Sequence, residues 1–170
     1  DSMKLDSRIA LNWLYMDQED VLWVIGQKGR IFRYDSQHDK FALAYVHPEL
    51  IRNKFQAFLD YGYLDKNDHI WLCYKDTITW YNIRTGTTQH MPKPVDGAIS
   101  TIEQADGGHF FIGTGSGLFC VGIEKGELKQ ISDEVVKSIV TPVHELYYHT
   151  VSKQLFVGSY KEGILIYDIG

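Results

Sequence analysis

The sequence lacks a long apolar run and any cluster of basic residues, and both absences limit its function. No apolar stretch approaches the roughly 18 residues of a membrane-spanning helix, so we expect this segment to make no membrane contact. The 17 basic residues are scattered among 22 acidic ones, and the net charge is -5. Because nucleic acid binding needs a cationic surface that displaces counterions, we expect no nucleic acid partner.

Cysteine is also scarce. The two cysteines, Cys73 and Cys120, each lie within an apolar, strand-like segment. The simplest interpretation is two small buried thiols, and a disulfide is the alternative if the two strands meet closely enough. The cysteines therefore do not indicate a redox environment.

No basic and apolar leader precedes the first repeat, so we expect any export signal either to have been removed or never to have existed.

Helical periodicity is nearly absent, and short apolar segments rich in Tyr, Trp and Phe alternate with polar turns. This composition and spacing are typical of β-strands. Aromatic residues recur in one local setting, each after a polar turn and before a second apolar segment, and they are Trp23, Trp71, Phe111 and Phe156. Intervals of about 40 to 48 residues predict the blades of a β-propeller. We expect these four aromatic anchors to be equivalent and buried between neighbouring blades.

The predicted fold is therefore all-β, a β-propeller segment over residues 1–170 with about four blades of four antiparallel strands. The repeats cover about residues 9–46, 55–91, 98–131 and 143–168, and residues 47–54 form an irregular insert. Four blades either close on themselves or belong to a larger propeller.

The fourth repeat stops after three strands, and residues 1–8 contain a spare strand-like piece, Met3–Leu5. Either this piece supplies the outer strand that closes the last blade, or both chain ends simply fall between the third and fourth strands of a blade. Uncovered strand edges and blade faces recruit partners, so we expect Met3–Leu5 to pair with Gly163–Asp168, or copies to associate through their terminal blades.

The repeat resembles the two-component regulator propeller repeat. Phe111–Thr114 followed by Gly117–Leu118 carries the resemblance best, and Phe156–Ser159 followed by Gly163 is nearly as close. The second repeat departs from the pattern, since Leu72–Tyr74 stands where the family has Ile-Gly-Thr.

This resemblance implies the periplasmic sensor region of a hybrid two-component system histidine kinase. Such a segment acts in signal transduction and carbohydrate sensing, responds to glycan-derived oligosaccharides, and forms a sensor dimer. It also implies that the kinase domain lies elsewhere in the full-length protein and that this segment is not an enzyme.

No motif predicts catalysis, a cofactor or a metal. His144, Glu145 and His149 come near a zinc-protease pattern, but the two histidines are five residues apart on a predicted strand, which sends their side chains to opposite faces. His69 and His109 occupy equivalent positions at strand starts. Gly113–Gly117 lacks the glycine spacing and the following helix of a phosphate loop. We therefore expect no catalytic residues, no cofactor and no metal site.

The first strand of each propeller blade lines the central channel. Counting five residues back from each first turn gives four polar residues within otherwise apolar or aromatic strands, which are Asn12, Asp60, Ser100 and Glu145. This set either binds a ligand at one end of the channel or forms a solvated channel wall. The leading hypothesis is a ligand-binding sensor. The alternatives are a propeller enzyme, such as a polysaccharide or cyclic-ester lyase, and a scaffold fragment with no ligand site.

Overall fold

The computed structural model describes residues 11–48, 58–132 and 134–169. These residues fold into four antiparallel sheets, each a meander in which strands that are consecutive in the chain are neighbours. The first sheet contains β1 (Leu11–Met16), β2 (Leu22–Gly26), β3 (Arg30–Asp35) and β4 (Lys40–Tyr45). The second contains β5 (Tyr61–Leu64), β6 (His69–Cys73), β7 (Thr77–Asn82) and β8 (Thr88–Pro92).

The third sheet contains β9 (Ile99–Gln104), β10 (His109–Thr114), β11 (Gly117–Glu124) and β12 (Glu127–Ile131). The fourth has three described strands, β13 (Val143–His149), β14 (Gln154–Ser159) and β15 (Gly163–Asp168). The predicted all-β propeller fold is confirmed, as are His69 and His109 at the starts of second strands. The predicted pairing of Met3–Leu5 lies outside the described residues.

A short helix, α1 (Glu134–Ser138), follows the third sheet and was not predicted. Its Val136 is buried, and the adjoining Ile139 accepts a hydrogen bond through its carbonyl from the amide of Leu118 at 3.1 Å. Gly117 makes this approach possible, since a Cβ there would lie 2.4 Å from the Ile139 carbonyl oxygen. Helix α1 therefore packs against β11 and covers part of the third sheet.

The chain divides into two compact units. The first holds the first and second sheets and runs to His90, and the second holds the third and fourth sheets together with Lys75–Thr77. In each unit we call the side of a sheet that carries its aromatic anchor the anchor face, and the other side the opposite face. Side chains alternate between these faces along each strand, except where a β-bulge interrupts the pairing.

In the first unit, the anchor face of the first sheet packs on the opposite face of the second sheet. The core cluster joins Trp23 and Ile31 from the first sheet to Ile70, Leu72 and Tyr81 from the second. The second unit repeats this arrangement, with third-sheet residues packed on fourth-sheet residues, and its core contains Phe111, Leu118, Cys120, Leu146, Tyr148, Leu155 and Val157. Within each unit, an anchor face is thus buried by the sheet that follows it in the chain.

Three of the four anchors are buried as predicted, since Trp23, Trp71 and Phe111 are 3%, 0% and 1% exposed. The prediction for Phe156 is wrong, because this ring is only half-buried. It lies on the anchor face of the fourth sheet, and that face leaves large apolar side chains in solvent. Cys73 and Cys120 are buried thiols that form no disulfide, as the simplest interpretation held. Among the described residues, no helix is long and apolar enough to cross a membrane.

Candidate ligand-binding site

The sheet register shows which polar residues of the first strands are equivalent. The residues paired with the four anchors are Tyr15, Tyr63, Glu103 and Tyr147. The positions three residues before these are Asn12, Asp60, Ser100 and His144. Three of the four predicted site residues are therefore equivalent, and Glu145 is one residue out of register. The sequence count is corrected to His144 in the fourth repeat.

The cause of this error is the length of one turn. Backbone bonds from Asp17 to Val21, Asp65 to His69 and Ala105 to His109 each enclose three turn residues, whereas His149 pairs with Gln154 and encloses four. The left-handed residue of each turn nevertheless stays three positions before its anchor, and these residues are Asp20, Asp68, Gly108 and Lys153. The extra residue therefore lies between β13 and Lys153. For this reason, counting five residues back from Thr150 reaches Glu145 instead of the equivalent residue, His144.

A β-bulge marks the same position in three of these strands. The pairing of β1 with β2 skips Asn12, that of β9 with β10 skips Ser100, and that of β13 with β14 skips His144. In the second sheet, Asp60 precedes β5 and its amide donates to the Cys73 carbonyl at 2.8 Å. Because a bulge leaves one residue unpaired and re-aims its side chain, this position is suited to present polar groups away from the sheet.

In the first unit, Asn12 lies in β1, and Asp60 directly precedes the neighbouring strand β5. The rings of Trp13 and Tyr61 make an edge contact with centroids 5.6 Å apart, and those of Tyr15 and Tyr63 make another at 6.3 Å. Strands β1 and β5 are thus side by side in matching register. Each ring of the first pair directly follows a predicted site residue, Asn12 or Asp60.

The first-unit site, as we call Asn12, Trp13, Asp60 and Tyr61, combines polar and aromatic groups at partial exposure. Asn12 is exposed, and Asp60 and both rings are half-buried. An amide and a carboxylate supply hydrogen-bond donors and acceptors, while the rings supply flat apolar surface. This combination is what binding a polar ligand with apolar faces requires.

Gly62 positions Trp13 in this site. A Cβ at Gly62 would lie 3.0 Å from Cε3 of Trp13 and 2.9 Å from Cδ1 of Ile25, so only glycine allows this close packing without a shift. The Tyr15 hydroxyl donates to the Gly62 carbonyl at 2.7 Å and ties the two strands together. Burial, together with the neighbouring Tyr61, raises the pKa of Tyr15, so this hydroxyl keeps its proton and remains a donor.

In the second unit, Ser100 and His144 occupy the positions of Asn12 and Asp60 and make different contacts. The Ser100 hydroxyl donates to the Val143 carbonyl and so links β9 to β13. His144 is exposed, and its ring lies 5.8 Å from that of Tyr160. Glu145 is exposed as well and pairs with Gly158. Ser100 therefore holds the two strands, and His144 and Glu145 are the groups presented to solvent.

A pocket between the first turns of the two sheets in the first unit has a structural explanation. It measures about 200 Å³ and is lined by the first turns of the two sheets, including Asp17, Lys66 and Asp68. The Asp17 carboxylate is occupied by turn amides and by Trp23, and Arg84 donates to Asp68 at 2.9 Å and also to Glu19. The carboxylates of Asp17 and Asp68 therefore form hydrogen bonds that stabilise the turns.

The histidines that came near a metal motif do not act together. His149 Nδ1 lies 2.7 Å from the Ser152 hydroxyl, whereas His144 contacts Tyr160. Within the described ranges, no group of three or more His, Cys, Asp or Glu side chains is placed to hold a metal ion.

No protein-family model and no curated protein matches this sequence. Solved structures do match. The extracellular domain of the putative hybrid two-component system BT4673 from B. thetaiotaomicron aligns with a TM-score of 0.69 at 14% identity, over 92% of this chain and 20% of that one. The likeness is one of fold.

Two further solved structures resemble this chain in fold. The extracellular domain of the putative hybrid two-component system BT3049 from the same organism has a TM-score of 0.57 at 17% identity, over 99% of this chain and 29% of that one. Streptogramin B lyase has a TM-score of 0.53 at 14% identity, over 94% of this chain and 54% of that one.

The chain thus spans between a fifth and about half of the length of these structures. The resemblance to sensor regions of hybrid two-component systems, first seen in the repeat motif, is confirmed at the level of the fold. The same fold also supports an enzyme, so function depends on the site rather than on the blades.

Proposed function

We propose that this chain is a non-catalytic, extracytoplasmic propeller segment of a two-component sensor, and that it binds a glycan-derived oligosaccharide at the first-unit site. The observation that carries the proposal is the edge contact between Trp13 and Tyr61, because each ring directly follows a polar residue of the predicted set, Asn12 or Asp60. Sugars present hydroxyls at their edges and C–H groups on their faces. Polar side chains beside half-exposed aromatic rings match both surfaces.

The extracellular two-component neighbours support the sensor role and the periplasmic location. In a sensor of this kind the segment recognises the ligand, while phosphoryl transfer belongs to a kinase domain elsewhere in the longer protein. The first-unit site suits recognition, since it offers one carboxylate and one amide and the Tyr15 hydroxyl beside it is held protonated.

An array of neutral and acidic oligosaccharides, probed with the fluorescently labelled chain, tests the proposal. We expect binding to a subset of the array, and we expect Asn12→Ala and Asp60→Ala each to weaken that binding at least tenfold. Asp96→Ala removes an exposed carboxylate from the second unit and serves as the matched control. Circular dichroism checks that all variants stay folded. An array without binding, or an unchanged signal for Asp60→Ala, contradicts the proposal.

An enzymatic function is the second candidate, and one observation favours it. His144 and Glu145 are consecutive residues near the start of β13, and both side chains are exposed. The likeness to streptogramin B lyase gives this observation weight. Mass spectrometry after prolonged incubation separates the candidates. We expect each bound oligosaccharide to be recovered intact, whereas products that disappear with His144→Ala would establish the enzyme.

A further inference from the structure

Two histidines meet where the last strands of the first and second sheets come together within the first unit. His90 belongs to β8, and His47 follows the end of β4 by two residues. The centroids of the two imidazole rings are 5.3 Å apart, and the ring planes are inclined at 67°. We call His47 and His90 the histidine pair. The first-unit site lies on the first strands of the same sheets, so the pair is a separate feature.

Packing against the second sheet fixes the position of His47. Tyr45, the last residue of β4, contacts the ring of Tyr81 with centroids 5.4 Å apart. His47 lies two residues further on, and because the proline at position 48 favours an extended backbone before it, His47 continues on the same face. Its ring contacts that of Tyr74 at 5.8 Å, and Tyr74 is 2% exposed. The imidazole is thus held against a buried ring while it remains half-buried itself.

A hydrogen bond orients the other imidazole. His90 Nδ1 lies 2.8 Å from the hydroxyl oxygen of Thr79, on the neighbouring strand β7. Thr79 is 1% exposed, so its hydroxyl is held in place, whereas His90 is exposed. A hydroxyl oxygen can accept from Nδ1–H, which leaves the lone pair of the ring on Nε2. Histidines that bind metals have this arrangement, since a hydrogen bond at one ring nitrogen selects the tautomer that binds through the other.

The separation of the rings fits a shared metal ion. Zinc binds imidazole nitrogen at about 2.0–2.1 Å with tetrahedral angles, which places two ring centroids on one ion about 5 Å apart. The observed 5.3 Å agrees with this value. The inclination of the planes is compatible as well, because each ring rotates about its own bond to the metal. An imidazole has two nitrogens, so a hydrogen bond at one leaves the other as a ligand.

We propose that the histidine pair binds one divalent transition-metal ion such as Zn²⁺, with water completing the coordination. Imidazole suits zinc, copper and nickel, whereas calcium and magnesium prefer oxygen ligands. Since no group of three His, Cys, Asp or Glu side chains occurs in the part of the chain that the structure describes, we expect weaker binding than at a structural zinc site with four protein ligands. The sequence shows no motif for this site, because its two histidines are 43 residues apart.

Isothermal titration calorimetry with zinc chloride, on the chain freed of metal by a chelator, tests the proposal. We expect one saturable site per chain with a dissociation constant in the micromolar range. His90→Ala and His47→Ala should each abolish it, and His90 is exposed, so its replacement should leave the fold intact. Thr79→Val keeps both histidines but removes the hydroxyl that orients His90, and should weaken binding about 10- to 100-fold. Unfolding measured with EDTA present separates this loss of affinity from a loss of stability.

The matched control is His109→Ala, which removes an exposed imidazole from the second unit and should bind zinc like the unmodified chain. Thermal unfolding gives a second measurement, because an ion that binds only the folded chain raises the Tm. Zinc should raise the Tm of the unmodified chain and of His109→Ala, but not that of His90→Ala. The absence of saturable binding, or equal binding by His90→Ala and the unmodified chain, overturns the proposal. Equal losses in His109→Ala and His90→Ala also overturn it, since zinc would then adsorb to scattered histidines.

Discussion

The indole nitrogen of Trp71 donates a hydrogen bond to Oδ2 of Asp65 at 2.8 Å, across the turn that joins β5 to β6. The other carboxylate oxygen, Oδ1, accepts from the amides of Asn67 and His69 at 2.8 and 2.9 Å. One carboxylate thus closes the turn and fixes the buried anchor. The first sheet repeats the arrangement with Asp17 and Trp23, also at 2.8 Å.

The third and fourth sheets have phenylalanine as the anchor and no carboxylate at the corresponding turn position. Ala105 stands there in the third sheet and His149 in the fourth. His149 still closes its turn, since its Nδ1 accepts from the Ser152 amide at 3.2 Å. The carboxylate therefore accompanies an indole N–H that needs an acceptor, which explains why the pair Asp65–Trp71 differs from the pair Ala105–Phe111.

The first prediction concerns Asp65→Ala. The substitution leaves a buried indole N–H and two turn amides without their acceptor, and a buried donor without a partner costs about 1–3 kcal/mol. We expect the free energy of unfolding in urea to fall by about 2–4 kcal/mol, given that the lost acceptor is also charged. Denaturation followed by tryptophan fluorescence measures it.

A double-mutant cycle with Trp71→Phe gives the control. The double variant restores the natural combination of the third sheet, an alanine with a phenylalanine anchor. Removing Asp65 should therefore cost less in the Trp71→Phe background than in the unmodified chain. Equal costs in both backgrounds would show that the carboxylate does not stabilise the fold through the indole.

The second prediction is a pH dependence set by Asp17. Burial acts to raise the pKa of this carboxyl, but hydrogen bonds from Trp23 and from the amides of Val21 and Glu19 outweigh burial and hold the pKa below its usual 3.8. Since the folded-state pKa lies below the unfolded one, ionised Asp17 stabilises the fold above about pH 4, and this contribution disappears as the pH falls through the folded value.

Asp17→Asn keeps the shape of the side chain and removes its charge. We expect the variant to be less stable than the unmodified chain at neutral pH, with a difference that narrows below about pH 4. Thermal unfolding across a pH series measures the difference. A stability difference between the two proteins that stays constant or increases in acid would mean that the ionised carboxylate is not the stabilising form.

The third prediction compares two anchors. Phe111 is 1% exposed within the second-unit core, so Phe111→Ala should lower the free energy of unfolding by about 3–5 kcal/mol. Phe156 is half-buried on an uncovered face, and Phe156→Ala should cost less than half as much because less apolar area is lost from the interior. Urea denaturation at one low protein concentration gives both values. Equal losses would mean that the face around Phe156 is covered in solution.

Much of the fold is predictable from sequence because the aromatic anchors recur at intervals of about 40 to 48 residues, each after a polar turn. Sequence spacing alone places Trp71 and Phe111 in equivalent strands, and the structure places them in the second strands of the second and third sheets. Helix α1 escapes prediction because five residues are too few for a periodic pattern, and its stability comes from Val136 and Ile139 packed on β11.

The site is only partly predictable, for two physical reasons. One extra residue in the turn after β13 moves the equivalent position from Glu145 to His144. Only the structure reveals this shift, because Lys153 takes the left-handed conformation three residues before Phe156, as Asp20 and Asp68 do before their anchors. The pairing of Trp13 with Tyr61 depends on two strands 48 residues apart lying side by side. No local pattern carries that information.

The fourth prediction places the ligand. Four tryptophans, at positions 13, 23, 71 and 80, give four indole N–H signals in a nitrogen-15 NMR spectrum. Trp13 belongs to the first-unit site, whereas the indoles of Trp23 and Trp71 are bonded to Asp17 and Asp65. Saturation with an oligosaccharide selected on the array therefore distinguishes binding at the site from binding elsewhere.

This titration is the most direct test of the account. We predict that the Trp13 indole signal and the amides of Asn12 and Tyr61 shift as the oligosaccharide is added, while the indole signals of Trp23 and Trp71 stay in place. Asp60→Ala should abolish the shifts at the same ligand concentration. Shifts that spare Trp13, Asn12 and Tyr61 and appear elsewhere in the chain would contradict the proposed site.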